Sequence, residues 1–284
     1  MSSFIEVKNL KKDFGHIKAL NGVDLEIQEG EVFGILGPNG AGKTTLVRIL
    51  STLLKPSSGK VSVAGVTLPS EDYKLKKLLG YMPQIPSLYE DLPARKNLEF
   101  FSSLHLYNGH RENIQDKIEE ILEFVELKDR QNDLISTFSS GMKQRLSLAC
   151  ALIHQPKILL LDEPTAGVEP RLKRVFWDYF RRLKQEGTTI IITTHQLTDA
   201  ENCDRLALMK SGRVLLVDTP LRLKNLGTSR IRITQKSGVK ELELTNFPEE
   251  LPKHLKELNG EVLRLEIESE TLEDIFLKLT QTKD

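Results

Sequence analysis

The sequence predicts an α/β protein with a parallel sheet, a helical insert and a small α+β tail. Short β-branched runs separated by glycine and proline alternate with helical patterns in the first third of the chain and again after about residue 157. Between about residues 98 and 154, the apolar residues instead recur at helical spacing. A parallel sheet interrupted by a helical subdomain is the simplest arrangement that accounts for both patterns.

Each predicted element has a local signal in the sequence. The strands share short β-branched or leucine-rich runs, and they are predicted at residues 5–7, 23–27, 32–36, 61–63, 158–161, 188–193, 206–209, 214–217, 242–244 and 263–267. The helices share apolar residues three or four positions apart, and they are predicted after Gly42 and at residues 114–125, 170–183 and 272–279. Pro170 suits the first turn of its helix, because that position needs no N–H donor.

Length and composition exclude several classes of protein. A chain of 284 residues with 39% hydrophobic and 28% charged residues is typical of a globular protein with one large domain and an appendage. The 40 basic and 40 acidic residues balance, which gives no electrostatic reason to expect nucleic acid as a partner. Cys150 and Cys203 lack the spacing of a zinc site or a disulfide framework, which fits a reducing cytosol. The apolar runs are shorter than the roughly 20 residues of a membrane span, and the N-terminus lacks a targeting pattern. We therefore expect neither a transmembrane segment nor a targeting segment.

A phosphate-binding loop (P-loop) is predicted between the strand at 32–36 and the following helix. The segment matches the pattern G-x-x-x-x-G-K-[ST], and it consists of Gly37, Pro38, Asn39, Gly40, Ala41, Gly42, Lys43 and Thr44. In such a loop the backbone N–H groups and the helix N-terminus bind phosphate, Lys43 bridges the β and γ oxygens, and Thr44 ligates Mg²⁺. We therefore expect nucleotide binding, with a glycine-rich turn and a solvated lysine as the alternative.

Two carboxylates follow the apolar strand at 158–161. The carboxyl end of a central parallel strand faces the same crevice as the phosphate loop, so Asp162 is placed to hold Mg²⁺ through its water shell. Glu163 is placed one residue further along, where it can polarise an attacking water as general base. A solvated turn is the alternative for this pair, and the presence of Lys43 argues against it.

With further segments, the sequence resembles the nucleotide-binding subunit of an ABC transporter over roughly residues 4–220. These segments occur in the order that the family has, and they are Gln84 of the Q loop, the signature motif at 138–145, the D loop at 166–170 and the switch histidine His195. The resemblance implies a P-loop NTPase core with a parallel sheet, an antiparallel β subdomain and a helical subdomain at about 85–155. It implies an ATPase domain at 1–220 and an accessory region at 221–284.

The resemblance implies ATP and Mg²⁺ as cofactors and assigns roles to single residues. Phe14 would stack on adenine, and residues 37–45, with Thr45 at their end, would bind the phosphates. Gln84 would contact Mg²⁺ and sense the membrane subunit, and His195 would hydrogen-bond the γ-phosphate beside Glu163. A core position for Phe14 and a satisfied core or capping histidine at His195 are the alternatives.

The signature motif carries the expectation of a dimer. Ser139 and Gly141 open a predicted helix, whose N-terminus can bind an anion, although an ordinary N-cap is the alternative for Ser139. The resemblance implies that this end meets the γ-phosphate held by a second ATP-binding subunit, either a homodimer or a heterodimer. Two departures stand out, because the family usually has Gly where Ser140 stands and Asp where Glu169 stands. We still expect an active site.

The tail at 271–280 resembles the C-terminal end of ATP-binding subunits of ABC-2-type exporters. This resemblance implies export through a separate transmembrane permease, with the chain cytoplasmic and peripheral on the inner face of the membrane. The permease would dock near Gln84 and the helical insert. A soluble ABC-type ATPase switch that is not involved in transport is the alternative, but the chain has neither a second fused cassette nor a long coiled coil.

Overall fold

The structure is a computed structural model that describes residues 3–69, 73–105, 114–236, 238–245, 247–256 and 261–281. The chain divides into two units, Met1–Val214 and Leu215–Asp284, and each is described by itself. None of the helices in the described ranges has the length and apolarity that a membrane crossing requires. Cys150 and Cys203 are free and buried, and burial raises the pKa of both thiols.

The first unit contains two sheets and seven helices among its described residues. Its strands are β1 (Ile5–Phe14), β2 (Ile17–Ile27), β3 (Val32–Leu36), β4 (Ser58–Val63), β5 (Val66–Leu68), β6 (Leu79–Met82), β7 (Ile158–Asp162), β8 (Thr189–Thr194) and β9 (Arg205–Lys210), and β10 (Arg213–Asp218) contains the division between the units. Its helices are α1 (Lys43–Leu50), α2 (Tyr73–Leu78), α3 (Ala94–His105), α4 (Ile114–Phe124), α5 (Ser140–Leu152), α6 (Pro170–Gln185) and α7 (Leu197–Ala200).

The six-stranded sheet has the order β10-β9-β3-β8-β7-β6, and the neighbouring pairs from β9 to β6 are parallel. Every residue of β3, β7 and β8 is buried, as expected for parallel strands covered on both faces. In register, Leu36 pairs with Thr194, and Asp162 pairs with Thr193. The carboxyl ends of these three strands therefore lie at one edge, and the loops that follow them meet there.

A second sheet has the order β2-β1-β4-β5, and all of its pairs are antiparallel. This sheet, the parallel sheet and the helices α3 to α5 confirm the predicted α/β class with its antiparallel part and its helical insert. The helices of the insert bury Leu98, Ile118, Ile121 and Leu122 in one hydrophobic cluster with the inner face of α5. The predicted helical face at 114–125 is therefore the face that packs.

The second unit is the predicted small α+β tail. After β10 it contains α8 (Pro220–Lys224), β11 (Ser229–Gln235), β12 (Gly238–Leu244), α9 (Phe247–Lys256), β13 (Val262–Ser269) and α10 (Leu272–Gln281). Its antiparallel sheet has the order β12-β11-β13. Ile231, Ile233 and Leu244 form one buried cluster of this unit, against which Leu242 and Leu251 pack.

Several elements were missing from the prediction or were predicted too short. Strand β6 was not predicted, because its four residues contain a glycine and lack a β-branched run. Strand β1 continues from the predicted 5–7 through Phe14, and β2 begins at Ile17 rather than at residue 23. These extensions were not predicted because many of their residues are polar. Such residues pair across a hairpin without being buried, so they leave no apolar pattern in the sequence.

Candidate functional site

The phosphate loop connects β3 to α1 and depends on glycine backbone geometry. Gly42 is the N-cap of α1 and has a left-handed backbone, with φ at 102°. A β-carbon at Gly42 would lie 2.5 Å from the carbonyl oxygen of Ala19, and one at Gly37 would lie 2.2 Å from that of Met209. Only glycine fits at these two positions. No side chain caps α1, so its first N–H groups remain available for an anion.

Lys43 is buried and folds over the loop that precedes it. Its Nζ donates to the carbonyl oxygens of Gly37 at 2.7 Å and Pro38 at 3.1 Å. The same Nζ lies 3.6 Å from Oε1 of Glu163. Burial lowers the pKa of the Lys43 ammonium, and the carboxylates of Glu163 and Asp162 oppose that shift. The Lys43 ammonium thus places one positive charge over the phosphate-binding loop.

Asp162 ends β7 and is fully buried. Its Oδ1 accepts a hydrogen bond from Oγ1 of Thr193 at 2.5 Å, whereas its Oδ2 is buried without a hydrogen-bond partner. A buried carboxylate oxygen without a donor is energetically costly. A divalent cation, or a water bound to one, would satisfy this oxygen, so the residues present fit a magnesium site.

Glu163 lies beside Asp162 in a strained and well-fixed conformation. Its φ is 54°, in the left-handed region that residues other than glycine rarely adopt. Its backbone N–H donates to both the carbonyl oxygen and Oγ1 of Thr193, each at 3.1 Å. The side chain is buried, with Oε2 3.0 Å from Nδ1 of His195. Strain that is held in place by several contacts is typical of functional positions.

The structure therefore brings Lys43, Glu163 and His195 into one chain of contacts. His195 follows β8, and its side chain is about half exposed, at 46%. A core histidine is excluded by this exposure. Because Glu163 lies between an ammonium and an imidazole, its carboxylate is fixed at both oxygens.

The signature segment lies at the start of α5. Oγ of Ser139 accepts from the backbone N–H of Met142 at 3.2 Å, so Ser139 is the N-cap that was the alternative expectation. Ser139 and Ser140 are exposed, and a β-carbon on Gly141 would lie 3.4 Å from the carbonyl oxygen of Gly167. Ser139 makes its hydrogen bonds to residues of its own helix. It is therefore separate from the group in which Lys43 and Glu163 contact each other.

Two further predicted residues lie at exposed positions of the first unit. Gln84 follows β6 and is exposed. Phe14 ends β1 and is 48% exposed, with Nζ of Lys12 4.9 Å from its ring centroid. The alternative of a core position for Phe14 is therefore excluded, because a core aromatic would be buried.

Two residues that support the site were not predicted from the sequence. Nε2 of Gln144, within α5, donates to the backbone carbonyl of Glu163 at 3.2 Å. Thr193 binds both Asp162 and the backbone of Glu163. Neither contact has a local signal, since the partners are 19 to 31 residues apart in sequence. The repeated threonines at the end of β8 were the only available indication.

This loop, helix and acidic pair at one edge of a parallel sheet define a P-loop nucleoside triphosphatase. The ABC transporter family profile matches residues 20–166 of the chain. The chain therefore belongs to the ABC transporter family, as an ATP-binding protein. The resemblance inferred from the sequence segments is confirmed.

Curated relatives support this membership over different shares of their length. The probable multidrug ABC transporter ATP-binding protein YbhF of Escherichia coli strain K12 is 42% identical over 220 residues, which cover 78% of this chain and 38% of that protein. The chain thus spans well under half of YbhF. The daunorubicin resistance ATP-binding protein DrrA3 of Streptomyces coeruleorubidus is 38% identical over 303 aligned positions, covering 97% of this chain and 95% of that protein.

Solved structures have the same fold. A dimeric ATP-binding cassette in a post-hydrolysis state with ADP and Pi superimposes with a TM-score of 0.71 at 28% identity, covering 76% of this chain and 98% of that one. The ATP-binding subunit of an ABC transporter superimposes with a TM-score of 0.75 at 23% identity over 98% of this chain and 100% of that one. The second likeness supports the fold alone.

Proposed function

We propose that this chain is the ATP-binding and ATP-hydrolysing subunit of an ABC transporter that exports its substrate through a separate membrane permease. The observation that carries the proposal is the buried carboxylate of Glu163, held between Lys43 and His195 beside a phosphate loop. The relatives named for multidrug transport and daunorubicin resistance support export. This function places the chain at the inner face of the cell membrane, bound to the permease.

ATP would bind to the loop between β3 and α1. The loop of residues 37–45 would bind the phosphates through those of its backbone N–H groups that are free, together with the N-terminus of α1, with Lys43 exchanging its carbonyl partners for phosphate oxygens. Thr44 and Thr45 are half-buried in the first turn of α1, where their hydroxyls can contribute. The half-exposed ring of Phe14 is available to stack on adenine.

Mg²⁺ would be held by Thr44, Asp162 and Gln84. When bound, the ion neutralises charge that develops on the β and γ oxygens. The unpartnered Oδ2 of Asp162 supports this assignment, because a cation or its bound water would satisfy it. Thr193 keeps the other carboxylate oxygen in place.

Hydrolysis would use Glu163 as the general base. The carboxylate takes a proton from water as the water oxygen forms a bond to the γ-phosphorus, and the bond from that phosphorus to the bridging oxygen of ADP breaks. His195 orients the carboxylate through Nδ1 and would hydrogen-bond the γ-phosphate. Gln84 would complete the catalytic set from the exposed segment after β6.

The active assembly would be a dimer with ATP in the interface. Ser139 and Gly141, at the exposed N-terminus of α5, would contact the γ-phosphate bound by the partner, where the helix end is favourable for an anion. The dimeric cassette solved with ADP and Pi supports this arrangement. The partner is either a second copy or a related subunit.

Ser139→Asp tests the shared site without removing the helix cap. Asp caps a helix as well as Ser does, but its charge would repel a γ-phosphate, so we expect ATP hydrolysis to fall about tenfold or more with unchanged melting temperature. Ser139→Asn, which keeps the cap without the charge, is the matched control and should retain more activity. Phosphate release from the purified chain measures both.

Mixing Ser139→Asp with Glu163→Gln tests whether the site is divided between two chains. A mixed dimer has one site with an intact Glu163 and an intact Ser139, so the mixture should hydrolyse ATP faster than the sum of the two variants alone. A mixture that remains as inactive as its components would contradict a site shared between chains.

The permease would dock on an apolar cavity of the first unit. This cavity of about 600 Å³ is lined by Tyr81, Leu88 and Phe101 among others, and its rim includes Leu53 and Leu104, which are 65% and 52% exposed. An amphipathic helix fits such a groove by burying its apolar face. The cavity lies next to Gln84, which follows Pro83 of its lining.

Leu104→Glu tests this docking surface. Because Leu104 is exposed, the substitution should leave folding and ATP affinity unchanged, but a charge in the groove should abolish co-purification with a membrane polypeptide. Exposed Leu221→Glu, outside the cavity, is the matched control. If the wild-type chain co-purified only with a partner lacking membrane spans, an ATPase switch without a transport role would be favoured instead.

A further inference from the structure

Asp199 is a buried carboxylate for which the proposed chemistry has no use. It lies in α7, four residues after His195, and is 2% exposed. A carboxylate in such a position needs several hydrogen-bond donors, because burial without them is costly. The structure supplies three side-chain donors from three different segments of the first unit.

Two of these donors come from the segments that carry the proposed catalytic groups. Oγ1 of Thr165 donates to Oδ2 of Asp199 at 2.5 Å, and Oγ1 of Thr194 donates to the same oxygen at 3.2 Å. Thr165 lies two residues after Glu163, and Thr194 immediately precedes His195. A single oxygen atom therefore joins the turn after β7 to the end of β8.

The third donor fixes this junction to the hydrophobic core. Nε1 of Trp177 donates to Oδ1 of Asp199 at 3.2 Å. Trp177 belongs to α6 and is 4% exposed within the main core cluster. Its indole is thus rigidly packed, and the carboxylate that it binds is held at a fixed point relative to the core.

We propose that Asp199 is a positioning residue for ATP hydrolysis, which holds Glu163 and His195 at their working separation. This inference rests on the proposed ATPase function. The contact between Oε2 of Glu163 and Nδ1 of His195, at 3.0 Å, is made by two side chains on separate loops. Asp199 joins the side chains of Thr165 and Thr194, one from each loop, next to that contact, and so restricts the movement of one loop relative to the other.

Loss of this tie should affect the chemical step rather than ATP binding. Thr165, Thr194 and Asp199 are outside the phosphate loop. Thr194 accepts from the N–H of Gly37 at 3.3 Å, but it does so with its backbone carbonyl rather than with the hydroxyl that binds Asp199. A displacement of about 1 Å between reacting groups can lower a rate by about a hundredfold. The expected effect is a kcat about 10- to 100-fold lower with little change in the KM for ATP.

A double-mutant cycle on the two threonines tests the proposal. Thr165→Val and Thr194→Val each remove one hydroxyl with little change of shape, and each should lower kcat. If both hydroxyls serve one tie, breaking the second adds little, so the double variant should resemble the slower single variant. Phosphate release by the purified full-length chain over a range of ATP concentrations gives kcat and KM. Additive losses, or a wild-type kcat in both single variants, would overturn the proposal.

Variants of the carboxylate separate positioning from simple stability. Asp199→Leu removes the acceptor for all three donors, whereas Asp199→Asn keeps an oxygen for Trp177 and an amide that can donate to the threonine hydroxyls. The Asn variant should therefore recover most of the kcat lost in the Leu variant. A kcat as low in Asp199→Asn as in Asp199→Leu would count against positioning through hydrogen bonds.

Asp204→Leu is the matched control for loss of a structural carboxylate. Asp204 accepts from the backbone N–H of Val32 and from Nζ of Lys184 at the amino end of β3, the opposite edge of the sheet. This control should lower the melting temperature but not kcat at 25 °C, and an equal loss of kcat would refute a specific role for Asp199. A wild-type chain that hydrolyses no ATP would overturn the proposed function and this inference with it, whereas an active wild type with unaffected threonine variants would overturn this inference alone.

Discussion

Glu163→Gln is expected to hydrolyse ATP at least about a hundredfold more slowly than the wild type while binding ATP with similar affinity. Glutamine has the same shape and can still hydrogen-bond His195, but its amide cannot accept a proton from water. Since ATP would then persist in the interface, the variant should accumulate as a dimer. Single-turnover phosphate release measures hydrolysis, and size-exclusion chromatography with ATP and Mg²⁺ measures the dimer.

Glu169→Gln is the matched control for this prediction. Glu169 is an exposed glutamate that precedes α6, in the D loop, and its side chain makes no cap hydrogen bond there. Its substitution should leave hydrolysis within a few-fold of the wild-type rate. Wild-type turnover in Glu163→Gln would refute Glu163 as general base, and equal losses in both variants would indicate a general charge effect.

Lys43→Ala is expected to bind ATP roughly 10- to 100-fold more weakly. A hydrogen bond to a charged group contributes about 1.5–3 kcal/mol, and Lys43 is the cation held over the mouth of the loop. Removal of its ammonium also leaves Oε1 of Glu163 without its 3.6 Å partner. Isothermal titration calorimetry with a non-hydrolysable ATP analogue measures the affinity.

Two controls accompany this variant. Lys60→Ala removes an exposed lysine of β4 and should bind ATP as the wild type does. Lys43→Arg keeps the charge but not the compact ammonium that donates to Gly37 and Pro38, so it should bind ATP better than Lys43→Ala and worse than the wild type. An unchanged ATP affinity in Lys43→Ala would show that the phosphates bind elsewhere.

The parts of the site that follow from local sequence were predictable. A buried strand, a glycine-rich turn and a helix are contiguous in the chain, and the structure has α1 beginning at Lys43 as expected. The acidic pair at the end of β7 was also visible, because an apolar run ends there. Adjacent residues and their periodicity determine such features.

The supporting contacts could not be predicted because they join distant parts of the chain. Gln144 reaches the backbone of Glu163 across 19 residues, and Trp177 reaches Asp199 across 22. In the sequence, Trp177 reads as ordinary core packing, and its packing is indeed in the core. The hydrogen bond of its indole N–H could not be predicted, because the partner of such a group depends on tertiary structure.

Strand β11 was missed for a different reason. Ile231 and Ile233 alternate with polar residues there, which is the pattern of a half-buried strand, and both are buried. The run is short and all of its other positions are polar, so its apolar signal is weak. In the sheet β11 lies between β12 and β13, so both of its edges are paired.

At Glu163, the left-handed backbone favours a glycine for stability, whereas the proposed catalysis requires a carboxylate. A residue with a β-carbon adopts that conformation at a cost of about 1–2 kcal/mol, which glycine avoids. Glycine there would relax the chain and discard the carboxylate. Descendants of this protein that abandon ATP turnover would lose the selective pressure for glutamate, and drift toward glycine or asparagine is the evolutionary signature to expect in them.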